Sequence, residues 1–169
     1  LRRILTLAGI QGAVKSTWAQ RYVRLHPQQN VIWLNSDTIR VHLFGKGVYQ
    51  SNDPAFIRQA VQTSVAHFKW LYQQCLLLPQ VDVILVDAIN LRIDQRRDYY
   101  RWAKAADPAN VVIGVQFAND WRRAAEQVQQ RPPSVGMHVP AEVIRNSARR
   151  FQPFQLGYDC DAIEQIVPW

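Results

Sequence analysis

Residues 9 to 17 read GIQGAVKST, and their spacing is that of a loop that binds phosphate: a glycine, four free positions, then Gly-Lys-Ser/Thr. Gly9, Lys15 and Ser16 occupy their marks, while Val14 stands where the second glycine belongs. The chemistry of such a loop is anion binding. Backbone N–H groups of residues 12 to 17, opening a helix, ring the phosphates of a nucleotide. On that reading Gly9, Gly12, Ala13 and Val14 shape the cradle and Lys15 reaches the terminal phosphates of ATP. The Ser16 hydroxyl ligates Mg2+, and Thr17 supports an inner phosphate.

Two other segments carry groups suited to the same reaction. NSDTIR, residues 35 to 40, sets Arg40 three positions after Asp37, so a helix starting there turns both toward one cleft. Asp37 is then a base for the proton of an attacking hydroxyl, and Arg40 steadies a phosphate through paired N–H donors. Taken alone, the plainer reading of this pair is a helix cap and a surface arginine. VDAIN, residues 86 to 90, brings Asp87, a carboxylate able to hold Mg2+ directly or through water. Alone it is equally a cap for the following helix.

Strand ends must position these three segments. ILTLA (4–8) is a short apolar run that feeds Gly9, as a buried parallel strand does. A helix is expected from Lys15 to about Leu25, with Trp18, Tyr22 and Leu25 on one face and Pro27 as its stop. VIWLN (31–35) is the second strand, followed by a helix capped by Ser36 or Asp37 and ended by Gly45. After a polar loop over 46–53, a long helix starts near Pro54, and its stripe Ile57, Val61, Val65, Phe68, Leu71 and Cys75 is expected to be core. VDVILVDAIN (81–90) is the third strand and VVIGVQF (111–117) the fourth, with a helix between them. Helices over about 120–131 and 140–151 and a last strand around AIEQIV complete the chain.

Strands alternating with helices predict a three-layer α/β architecture with a parallel sheet. With no repeat or linker in view, residues 1–169 are expected to be a single domain, excerpted from a longer chain since no methionine opens it. In open parallel sheets ligands collect at the carboxyl ends of the strands. All three chemical segments sit at such ends, and that convergence outweighs any one of them.

Composition narrows the function classes. With 48% of residues apolar the chain is not a disordered one. No apolar run is long enough to span a bilayer, and LRRILTLAGI is not a signal peptide. Cys75 and Cys160 form no CxxC and read as thiols of a reducing, intracellular compartment. The four histidines show no metal-ligand spacing. A net charge of +7 suits an anionic partner, although a solvated basic face accounts for it equally well. The helix LRIDQRRDYYR, with Arg92, Arg96, Arg97 and Arg101, is the part of that charge expected to meet nucleic acid, unless Asp94 and Asp98 pair with it.

Taken together the motifs resemble those of the P-loop kinases of the polynucleotide 5′-hydroxyl kinase type. ILTLAGIQGAVKSTWAQRY is similar to that family's strand, phosphate loop and first helix, NSDTIR to its base-bearing segment, and VDAINL to its Asp-x-Thr-Asn-Leu segment. VPAEVIRNSARRF resembles the helix that follows its lid. The resemblance covers nearly the whole chain. It implies a five-stranded parallel sheet of order 2-3-1-4-5 with helices on both faces and a small lid. It implies Asp37 as general base, Arg40 on a phosphate, and Lys15, Ser16 and Asp87 at ATP and Mg2+. It also implies lid arginines on the transferring phosphate: Arg122, Arg123 and Arg131 are the candidates, and Arg131, eight residues before Val139, fits best. The acceptor it implies is the 5′ end of RNA or DNA.

Three departures accompany the resemblance. Gln11 replaces a proline, the lid lacks a second arginine after Arg131, and Val14 replaces a glycine. A non-glycine residue held in a glycine-type conformation costs on the order of 1–3 kcal/mol, enough to lower nucleotide affinity about tenfold. The alternatives to a polynucleotide kinase are therefore a weakened nucleotide- or RNA-binding domain and a kinase of a small molecule.

Overall fold

The computed structural model of the protein describes residues 1–132 and 138–167. In chain order its elements are β1 (Arg3–Ala8), α1 (Lys15–Leu25), β2 (Val31–Asn35), α2 (Ser36–Phe44), α3 (Pro54–Leu76) and β3 (Val83–Asp87). There follow α4 (Ile93–Ala106), β4 (Val111–Phe117), α5 (Trp121–Gln129), α6 (Ala141–Arg150) and β5 (Ala162–Ile166). The strands form one parallel sheet in the order β2-β3-β1-β4-β5, as the resemblance implied. Its register sets the carboxyl ends level, with Asp87 opposite both Leu7 and Asn35.

Alternation along the strands divides the core into two layers. Leu5, Leu7, Val83 and Leu85 face one side, where Ala19, Ala124, Val128 and Ile144 bring α1, α5 and α6 onto the sheet. Ile4, Ile84, Val86 and Val112 face the other, against Phe68, Tyr72 and Cys75 of α3 and Tyr99 and Ala103 of α4. β3 is buried throughout, which explains its unbroken apolar sequence. Among the described residues no helix is long and apolar enough to cross a membrane.

The structure revises four expectations. The cap of α2 is Asn35, one residue earlier than expected, and its side chain accepts the Thr38 N–H at 2.8 Å. The third strand is shorter than 81–90, ending at Asp87. Residues 46–49 form a 3-10 turn inside the expected loop. The largest revision concerns α3: Ala60, Ser64, Phe68, Tyr72, Cys75 and Leu76 are its buried residues, whereas Ile57, Val61 and Val65 are exposed. Small side chains at 60 and 64 bring the first half of α3 close to its neighbours, and the bulky stripe is rotated away from the core. The tip of the expected lid, residues 133–137, lies outside the described residues.

The arginine-rich helix is also divided by the fold. Arg96 is completely buried and ion-paired with Asp159 at 2.7 Å, so it is unavailable to a nucleic acid. Arg92 pairs with Asp94 and Arg97 donates to the Tyr158 hydroxyl.

Candidate active site

The loop from Gly9 to Val14 turns the end of β1 into the start of α1. Gly12 has φ 81°, and a Cβ there would stand 2.2 Å from the Ala124 carbonyl oxygen. Glycine at 12 thus serves the close approach of α5 as well as the turn. Val14 has φ 57° and ψ 31°, the left-handed conformation that the missing glycine would take without strain. The loop keeps its shape despite the substitution.

The first N–H groups of α1 have no partners within the helix, and the Lys15 ammonium folds back over the loop. Its Nζ donates to the carbonyl oxygens of Gly9 at 2.9 Å and Ile10 at 3.0 Å. Loss of water around it lowers its pKa from 10.5 to about 8, the Asp87 and Asp37 carboxylates oppose the change, and Arg131 adds to it. Both carboxylates and Arg131 line one cavity with this ammonium.

Asp87, buried at the end of β3, gathers three donors on Oδ2: the Ser16 hydroxyl at 2.9 Å, Asn35 Nδ2 at 2.7 Å and Trp33 Nε1 at 2.9 Å. Asn35 also donates to the Ser16 oxygen at 3.1 Å. The three strand-end segments are therefore joined through a single carboxylate oxygen.

Across the opening, Asp37 Oδ1 accepts from Arg40 Nη1 at 3.1 Å and from the Tyr49 hydroxyl at 3.3 Å. The Asp37 side chain is 65% exposed, so the carboxylate remains open to a reactant. Arg40 Nε is buried without a partner among the described residues, as is Gln11 Oε1. Both residues line that same cavity, so a bound group or water there can complete their hydrogen bonding.

One cavity of about 400 Å³ joins these groups: Gln11, Gly12, Val14, Lys15, Ser16, Asn35, Asp37, Arg40, Asp87 and Arg131 all line it. Its size is that of a small-molecule site. Sequence comparison now decides the family, because the model of the AAA domain matches residues 4–154. The chain belongs to the AAA domain family. Among curated proteins none matches it.

This AAA domain has the sheet order and strand-end loop of a P-loop kinase fold. It is similar in structure to a chain of the PezAT toxin–antitoxin system of Streptococcus pneumoniae, at 14% identity and TM-score 0.61, over 76% of this chain and 51% of that one. It spans only about half the length of that relative. A fungal RNA kinase matches at 16% identity and TM-score 0.63, over 98% of this chain and 73% of that one. A gluconokinase from Sinorhizobium meliloti matches at 11% identity and TM-score 0.58, over 99% and 84%. At these identities the likeness is one of fold, a kinase fold that serves RNA and small-molecule acceptors alike.

Not every residue expected at the site of this AAA domain faces the cavity. Gly9 and Ala13 lie behind the loop, their N–H groups donating to Ile89 and Ile10 carbonyls, and Thr17 is exposed beside it. Arg122 lies over the Trp121 ring, 4.9 Å from its centre, and does not line the cavity. Conversely, Tyr49, Trp33 and the α3 residues Val61, Val65 and Phe68 went unnoticed as site residues. Tyr49 had no helical or motif spacing to Asp37, and the valines read as core.

Proposed function

We propose that this domain transfers the terminal phosphoryl group of ATP to a hydroxyl acceptor, and that the acceptor is the 5′-hydroxyl end of a polynucleotide. The observation that carries the reading is the pairing of an accessible carboxylate, Asp37, with a phosphate-type lysine, Lys15, across one cavity. In phosphoryl transfer little covalent work falls to the protein, and positioning with charge stabilisation dominates. Lys15 and the N-terminus of α1 hold the terminal phosphates. Arg40 and Arg131 add positive charge from the two flanks. Asp37 accepts the proton of the attacking hydroxyl, and its Oδ1 is fixed by Arg40 and Tyr49.

The residues present also fit Mg2+. Ser16 and Asp87 bring a hydroxyl and a carboxylate together at 2.9 Å, and among the described residues no cluster of three or more acidic, histidine or cysteine side chains forms a complete cage. That combination suits an ion that keeps waters and shares phosphate oxygens. When bound, it neutralises charge on the transferring phosphates.

The 5′-end acceptor is supported by the net charge of +7, by the likeness to a fungal RNA kinase, and by Asp37 and Arg40 in the NSDTIR segment. Incubation with ATP labelled at the terminal phosphate, Mg2+ and a 5′-hydroxyl oligonucleotide tests it: label passes to the oligonucleotide, and Asp37→Ala stops the transfer. A second reading, a weakened nucleotide- or RNA-binding domain, draws on the left-handed Val14. RNA binding without any transfer, with transfer restored by Val14→Gly, would favour that reading instead.

A further inference from the structure

We infer that the exposed apolar half-face of α3 seats the nucleobase of the acceptor, so that the domain selects a hydroxyl carried by a flat, apolar-faced body over an open-chain polyol. The inference rests on the phosphoryl-transfer reading above. Besides Asp37 and Arg40 the cavity is lined by Val61, Val65 and Phe68 of α3 and by Ile89 and Tyr99. Val61 and Val65 are 41% and 46% exposed, and Ile57 one turn earlier is exposed with them. They gain burial only when something apolar enters.

Three of the polar side chains on this side already have partners. Ser64 Oγ donates to the Ala60 carbonyl at 2.7 Å, Lys69 Nζ to Asp98 at 3.4 Å, and Asn90 Nδ2 to the Leu7 carbonyl at 2.8 Å. The Gln95 side-chain amide and the Tyr99 hydroxyl are polar groups of this wall that make no side-chain hydrogen bond among the described residues. A polyol entering here would strip water from more hydroxyls than Gln95, Tyr99 and Lys69 can re-pair, a penalty of roughly 1–3 kcal/mol per group left unpaired. A base suffers no such loss. Its faces are apolar enough to lie on the two valines, its polar atoms sit at the rim where Gln95 and solvent are, and its sugar reaches Asp37.

The test compares three acceptors with ATP and Mg2+: a short 5′-hydroxyl oligonucleotide, the same oligonucleotide with an abasic first residue, and gluconate. Removing the terminal base raises KM about tenfold or more with kcat little changed, and gluconate is the poorest acceptor. The Val61→Thr/Val65→Thr double variant, nearly the same shape but polar, raises KM several-fold for the base-bearing strand and leaves KM for the abasic strand and ATP binding unaltered. Equal KM for base-bearing and abasic strands overturns the inference, as does gluconate used better than the oligonucleotide. The comparison of acceptors on the unmodified protein stands even if the double variant fails to fold. Should no acceptor receive phosphate, the kinase reading fails by itself, and equilibrium binding of the same two strands decides the wall: about tenfold preference for the base-bearing strand upholds it, equal binding overturns it.

Discussion

Arg40 and Arg96 each hold an aspartate, and the surroundings of the two pairs could hardly differ more. Around Arg96 every bond is closed: Nε reaches Asp159 at 2.7 Å, Nη1 reaches the carbonyls of Asn90 and Leu91, and Nη2 reaches that of Pro153. Asp159 in turn accepts the Gln155 N–H at 2.7 Å. Around Arg40 the bonds are left open, with Nε buried and unpartnered and Asp37 mostly in solvent. The closed knot ties the segment after α6 to the end of β3. The open pair stands at the cavity mouth and holds donors in reserve. The first arrangement suits stability and the second suits the proposed chemistry, because a buried group without a protein partner costs folding free energy that a bound ligand or water offsets.

The sharpest way to break this contrast is to neutralise each aspartate or arginine in turn. Asp37→Asn lowers the rate of phosphoryl transfer by about 100- to 10,000-fold, while the melting temperature measured by calorimetry stays where it was. A fallen melting temperature with an intact rate would make Asp37 a structural residue. Arg96→Ala acts the other way, lowering unfolding free energy in urea by about 3–5 kcal/mol, since it leaves Asp159 charged, buried and alone. A loss below about 1 kcal/mol, the range of exposed pairs, would show that water reaches the knot.

Lys15 sharpens the comparison through pH. Its ammonium is destabilised by its surroundings, with a pKa of about 8 against the ordinary 10.5, so between these values the unfolded chain binds the proton that the folded chain has released. Folding stability therefore gains from Lys15 as pH rises through that window, and below about 8 the unfavourable burial is fully present. Nucleotide binding has the opposite sign. Phosphates require the charged lysine, so above pH 8 binding takes up a proton and affinity for ATP falls by up to about tenfold per pH unit. Calorimetric titrations at pH 7 to 9.5 in buffers of different ionisation enthalpy read both the affinity and the proton. A flat profile with no proton uptake would mean that Lys15 keeps its ordinary pKa.

How far the sequence foretold this arrangement depends on the range of the forces involved. The sheet and its polar strand ends were legible because burial on both faces writes unbroken apolar runs such as that of β3. That Lys15, Ser16, Asp37, Arg40 and Asp87 meet in one cavity was legible because all of them sit at strand ends of a parallel sheet. The rotation of α3 was not, since Val61 and Ala60 fit a helix face equally well and only tertiary packing chooses between them. Arg96 was misleading for the same reason: its partner Asp159 is far along the chain, and Asp94 and Asp98 looked nearer. Tyr49 reaches Asp37 through a turn whose geometry no local pattern encodes.

Among the described residues two non-glycine residues adopt left-handed backbone, and they supply the smallest and most discriminating test. Asn90 has φ 47°, a conformation asparagine accepts readily, and its amide repays the fold by bonding the Leu7 and Val86 carbonyls. Val14, at φ 57°, is β-branched and makes no capping hydrogen bond. Val14→Gly therefore stabilises the protein by about 1 kcal/mol once the greater flexibility of the unfolded glycine is subtracted, raising the melting temperature by roughly 2–4 °C. Strain held in the fold itself opposes folding and not binding, so the expected change in ATP affinity is less than about threefold. The tenfold loss of affinity that the substitution suggests at first sight is the competing expectation. An unchanged melting temperature with ATP affinity raised tenfold would reverse the assignment, showing that the free loop relaxes and that ATP forces the valine back.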